Sequence, residues 1–132
     1  MSIKTALFLG LILCAGCNNG PNNSCNNYVL DRLSVSTYHL TARPECFHNR
    51  KIEVKGVLGI KFGTVWLFPS KFDFLIENEP SAILLNLKLS PEDLKTLKDE
   101  QIGDAVHISG IFNISSGITV NTPPRSVALD EN

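Results

Sequence analysis

The chain has 132 residues, with 12 Lys and Arg against 13 Asp and Glu, for a formal net charge of −1. That balance, without any run of like charges, excludes the basic patch that marks most nucleic-acid binders. Hydrophobic residues make up 43%, enough to fill the interior of one domain and too many for a disordered chain.

Residues 6–16, "ALFLGLILCAG", are uniformly apolar or small and follow a single charge, Lys4. A bilayer span needs roughly 20 apolar residues, and this run stops short, at "CNNGPNNSCNN". A basic start, a short apolar core and small residues at the end give it the layout of a secretory signal. As a core strand or helix it would have nothing to pack against, because only Asn, Gly, Pro and Ser follow. "NNGPNNSCNN" reads as a flexible tether, rich in turn formers and without apolar residues. Three regions result: a signal peptide over 1–16, a tether over 17–27 and one domain over 28–132. Removing Lys4 with the signal leaves 11 Lys and Arg against 13 acids, so the remainder is slightly acidic.

Within the domain, "DRLSVSTYHLTARPECFHNR" allows a short strand at "LSV". A short helix capped by Ser36 or Thr37 would follow, burying Tyr38, Leu40 and Phe47. "RKIEVKGVLGIKF" has period two, with Ile52, Val54, Gly56, Leu58, Ile60 and Phe62 on one face, which predicts a long half-buried strand. Gly56 and Gly59 are places where it can bend. Gly63 permits a tight turn into "TVWLFP", where Val65 and Leu67 oppose Trp66 and Phe68. The extended segment is expected to continue irregularly through "SKFDFLIEN" to the turn "NEPS".

"AILLNLKLS" alternates again, with Ile83, Leu85, Leu87 and Leu89 on one face. The period then changes. In "SPEDLKTLKDEQIGD", Ser90 is an N-cap, Pro91 takes the first helical position, and Glu92 and Asp93 face the positive helix end. Leu94, Leu97 and Ile102 form one apolar stripe, and Gly103 is the stop. "AVHISGIFNI" returns to period two through Val106, Ile108, Gly110, Phe112 and Ile114. "SSG" is a hairpin turn, and "ITVNT" with "RSVAL" forms a last strand broken at Pro123 and Pro124.

This order implies a mainly β fold: a five-stranded OB-like Greek-key barrel. One helix lies between strands three and four, and a short helical segment precedes the barrel. The amphipathic helix would plug one barrel end with Leu94 and Leu97.

Two stretches carry family resemblances. "CAGC", Cys14 to Cys17, resembles the lipobox of bacterial lipoprotein precursors, with Cys14 standing where that family prefers Leu. The resemblance implies a diacylglyceryl thioether on Cys17, cleavage between Gly16 and Cys17, and a further acyl chain on the new amine. Asn18 is not the Asp that typically retains such proteins at the inner membrane, which implies the periplasmic face of the outer membrane if the organism is Gram-negative. "PECFHNRKIEVKGVL" resembles the opening of OB-like domains in bacterial exported proteins, a likeness that specifies fold better than activity.

Cys25 and Cys46 remain once the signal and Cys17 are accounted for. An even pair in an exported domain most often forms a disulfide. Free thiols, or a metal site of Cys25, Cys46 and His48, are the alternatives; no cofactor is implied. By OB analogy, ligands lie across strands two and three, a surface that would carry Trp66, Phe68, Lys61 and Lys71, with Phe72 and Phe74 nearby. Aromatics interleaved with Lys can stack on bases, but the loops "FGT" and "SSG" are too short to wrap a nucleic acid. The plainer reading is that Trp66 and Phe68 cover the N-terminal segment.

His39, His48 and His107 are the candidate general bases, yet none lies in a recognisable nucleophile motif. Glu77 and Glu79 flank a turn. The expectation is a non-enzymatic, lipid-anchored cell-envelope protein that contacts a protein or peptide and no nucleic acid. A small-molecule or glycan binder around Trp66 is the alternative, and an envelope hydrolase a third.

Overall fold

A computed structural model of the chain describes Cys25 and residues 34–128. The expected signal peptide, Cys17 and all of the expected tether but Cys25 lie outside the described residues.

The fold is organised by β2 (Lys51–Lys61), an 11-residue strand. Its first half alternates as period two requires: Lys51, Glu53 and Lys55 are exposed while Ile52 and Val54 are fully buried. A tight turn at Phe62 and Gly63, both at positive φ, leads into β3 (Thr64–Phe68). β3 pairs antiparallel with β2, from Val57↔Phe68 to Lys61↔Thr64. β4 (Ile83–Leu87) continues the meander on β3. β5 (Ala105–Asn113) runs antiparallel along the other edge of β2, from Lys51↔Ile111 to Val57↔Ala105. β6 (Gly117–Val120) hairpins back on β5 and lies parallel to β4. The ring is therefore β2–β3–β4–β6–β5 and back to β2, a closed five-stranded barrel in the OB order.

Two short strands lie outside the ring: β1 (Ser34–Ser36), parallel on β2, and β7 (Arg125–Ser126), on β5. The last strand is broken where Pro123 and Pro124 supply no ladder donors: both pieces pair antiparallel with β5, and β6 also joins β4.

The second half of β2 is buried on both faces, through Gly56, Val57, Leu58 and Gly59. Gly56 is dictated by proximity: a Cβ there would lie 2.6 Å from both the Leu67 side chain and the Phe68 carbonyl oxygen. The expected inward face does not run the whole strand, since Ile60 and Phe62 are exposed where β2 outruns the barrel. Ile114 is exposed for the same reason beyond β5.

Among the described residues, three α-helices decorate the ring. α1 (Thr37–Ala42) is capped by Ser36, whose hydroxyl accepts from the His39 N–H at 3.3 Å. Leu40 and Phe47 are buried as expected, but Tyr38 is 56% exposed and Thr37 takes its inward place. The segment after β3 is not a continuing strand. Ser70 accepts from the Asp73 N–H at 3.1 Å and starts α2 (Lys71–Leu75). α3 (Pro91–Thr96) has the expected Ser90 cap, accepting from the Asp93 N–H at 3.1 Å. It winds more loosely through Leu97–Gln101 and stops before Gly103, at φ +87°. Leu97 is fully buried while Leu94 is only half-buried, so one leucine of the expected pair is turned fully inward.

Candidate functional site

Trp66 and Phe68 alternate with the inward Val65 and Leu67 on β3, so both point away from the barrel interior. Their surroundings differ. Trp66, opposite Leu84 of β4, is half-buried and lines an open groove of about 400 Å³ with Leu40, Thr41, Pro44, Pro80 and Ser115. Phe68 is covered. The Phe74 ring from α2 meets it edge-on, with centroids 5.9 Å apart and planes at 78°.

The two lysines are engaged elsewhere. Lys61 forms an ion pair with Glu79, and its Nζ lies 5.7 Å from the Phe62 ring. Lys71 donates from Nζ to the Gly103 carbonyl at 2.7 Å and sits 5.0 Å from the Phe74 ring. The four residues expected to share one surface are divided among three grooves. Trp66 lines the largest of the three. Phe68 and Lys61 line a second, of about 300 Å³, with Ile60, Phe74, Leu75 and Ile102. Lys71 lines a third, of about 250 Å³, with Lys55, Val57 and Pro69.

Neither a protein-family model nor a curated protein matches the chain.

The Trp66 groove is mostly apolar. Of the two hydroxyls in its lining, at Thr41 and Ser115, that of Thr41 is taken up locally, donating toward the Thr37 and Tyr38 carbonyls at 3.2 and 3.1 Å. A groove lined by a half-buried indole and two prolines accepts an apolar or aromatic side chain well. It offers little to a ligand covered in hydroxyls.

One polar cluster was not expected from the sequence. Asp73, on α2, is buried, and its carboxylate accepts from Ser70 Oγ at 2.6 Å, Asn78 Nδ2 at 2.9 Å and Tyr38 Oη at 3.1 Å. The Ser70 hydrogen bond, followed by that of Asn78, holds the Asp73 carboxyl below the usual carboxylate range. The hydrogen bond to Asp73 in turn pushes the Tyr38 phenol up. With three donors from its own chain already on it, Asp73 acts as a tie between α1 and the β3–β4 connection. The sequence signal for it is Ser70-x-x-Asp73, a capping-box spacing.

The histidines also have structural partners. His48 Nδ1 accepts from the Ile114 N–H at 3.1 Å and so pins the β5–β6 turn. His107 lies 3.3 Å from Arg125 Nη2 and 3.8 Å from a Glu53 carboxylate oxygen, on the outer wall. The backbone N–H of His39 serves the Ser36 cap. Cys25 and Cys46 are each disulfide-bonded, which replaces the free-thiol alternative and removes the thiolates a metal site with His48 would need. Among the described residues, no group of three or more His, Cys, Asp and Glu is placed to hold a metal ion.

Proposed function

We propose that the chain is a lipid-anchored cell-envelope protein whose OB-like barrel docks a protein or peptide segment at the Trp66 groove. Export and anchoring are supported by the basic-apolar-small layout of residues 1–16 and by "CAGC" ending at Cys17. Each buried acyl methylene contributes about 0.8 kcal/mol, so a Cys17 carrying two or more chains is held firmly. In a Gram-negative host, Asn18 supports the periplasmic face of the outer membrane.

The observation that carries the binding reading is the open groove of about 400 Å³ beside half-buried Trp66, flanked by Pro44 and Pro80. Its apolar lining favours a peptide side chain over the glycan alternative, which requires converging polar groups. Aromatic anchors of this kind are typical of binding hot spots.

The test is crosslinking of envelope neighbours in a host that processes lipoproteins, comparing the wild-type chain with Trp66→Ala. A crosslinked partner is expected for the wild type and lost with Trp66→Ala at equal protein level. An unchanged crosslink would move the docking surface away from Trp66. Cys17→Ser is expected to abolish acylation and release the protein from the membrane; an unmodified Cys17 at the mature N-terminus of the wild type would reject the anchor.

A further inference from the structure

Cys46 closes the short 3₁₀ turn Pro44–Cys46 and is buried. The turn is held firmly in the domain. The Cys46 N–H donates to the Arg43 carbonyl at 3.1 Å, and the Cys46 carbonyl accepts from Arg50 Nη1 at 3.3 Å. Fully buried Phe47 follows, and the Asn49 N–H donates to the Phe112 carbonyl of β5 at 2.7 Å. Pro44, two residues before Cys46, lines the Trp66 groove. Position 46 is thus a fixed point of the domain, next to the groove lining.

The disulfide joining Cys46 to Cys25 changes the length of chain that counts. Along the backbone, β1 begins at Ser34, 17 residues beyond Cys17, a reach of at most about 60 Å. Through the bridge, the path leaves the backbone at Cys25, after eight residues, a reach of at most about 30 Å. The disulfide itself adds at most about 7 Å between Cα atoms. The groove wall at Pro44 is therefore held within roughly 40 Å of Cys17. Residues 26–33 lie outside this path, so their number does not enter the reach.

The two paths differ in what the groove can meet. A tethered site samples a volume set by its linker, and a target that the linker cannot span is not met at all. With the bridge in place, the shorter path is the limit whatever the backbone beyond Cys25 would allow. A segment docking beside Trp66 then has to enter the layer next to the bilayer that would hold Cys17.

We propose that the Cys25–Cys46 bridge fixes the working length of the anchor at eight residues and so confines the Trp66 groove to the membrane-proximal layer. The proposal rests on the Cys17 anchor reading. Trp66 is the one tryptophan of the chain, so its emission reports the position of the groove directly. Acylated full-length protein is reconstituted into vesicles of phosphatidylethanolamine and phosphatidylglycerol carrying a dansyl-labelled headgroup, and energy transfer from Trp66 to dansyl is measured. An insertion of Gly and Ser as long as the eight-residue path is placed after Gly20, inside that path, or after Asn27, outside it. Doubling a tether lengthens its mean span about 1.4-fold. Transfer falls steeply with distance, so the insertion after Gly20 is expected to lower it several-fold and the insertion after Asn27 to leave it unchanged. Equal losses from both insertions would overturn the role of the bridge. So would no loss from either, which would mean that the barrel rests on the membrane by a face of its own. With Cys25→Ser the two insertions should become equivalent, and a difference that persists would overturn the proposal as well. The N-terminal peptide mass of the same samples keeps the two readings apart. A missing acyl mass removes the anchor and the proposal together, whereas equal losses on acylated protein remove the proposal alone.

Discussion

Along β2, Ile52, Val54 and Leu58 are fully buried, while Lys51, Glu53 and Lys55 stand in water. In the connection from β3 to β4 the polarity is reversed: Phe72, Leu75 and Ile76 stand in water and Asp73 is buried. The strand obeys hydropathy because ring closure gives each residue a fixed side and period two assigns it. α2 has five residues, less than two turns, too few to present an apolar stripe of its own. Its orientation is set by the Asp73 tie to Ser70, Asn78 and Tyr38. Once Asp73 points inward, Phe72, Leu75 and Ile76 are carried outward. Hydrogen bonding to one buried carboxylate thus decides the burial of its neighbours.

This contrast is sharpest where large losses are expected. Leu58→Ala in the wall and Leu97→Ala just after α3 should each cost about 2–5 kcal/mol through lost burial and cavity formation. Denaturant midpoints at constant slope would measure both. If Leu97→Ala costs nothing, Leu97 is not part of the barrel core. Next comes Gly56→Ala, which places a Cβ against Leu67 and the Phe68 carbonyl. Overpacking there should cost about 1–3 kcal/mol, and a neutral result would show that β2 and β3 can move apart.

The connection should respond to pH instead. The folded-state pKa of Asp73 lies below its unfolded value, so its contribution is present above the unfolded pKa, near 4, and disappears as pH falls through the folded value. Asp73→Asn should therefore reduce the drop in melting temperature between about pH 6 and about pH 3 relative to wild type. An unchanged drop would mean that other carboxylates govern the acid limb. The smallest effects belong to the outward side chains: Leu75→Ser and Lys98→Gln should each stay within about 0.5 kcal/mol. A clear loss of stability with Leu75→Ser in monomeric protein would show that α2 packs on something within the domain, and the reversal of polarity would be wrong.

The barrel was legible in the sequence because its signals are long or doubled. The alternation of β2 spans more than ten residues, and α3 is announced by Ser90, Pro91 and two acids together. α2 was not legible: "FDF" mimics a strand, and five residues carry no helical period. Only Ser70-x-x-Asp73 marked it. The candidate site was half legible for a related reason. The outward direction of Trp66 and Phe68 follows from β3 alone, but what covers them comes from elsewhere. Phe68 is covered by Phe74, while Lys61 is drawn to Glu79 and Lys71 to Gly103 by contacts distant in sequence. The exposure of Ile60 and Phe62 was hidden by a pattern that continues past the point where the barrel ends.

The closed ring also sets an order in time. β2, β3 and β4 are complete by Leu87, yet both seams that close the barrel, β5 on β2 and β6 on β4, are supplied by residues 105–120. Until those residues are present, the earlier strands form a meander with two open edges. A fold whose decisive pairings are remote in sequence forms late, because loop closure precedes any gain from the contacts. For a chain proposed to leave the cytoplasm through a narrow pore, that lateness is useful: most of it stays threadable until its last strands have been made.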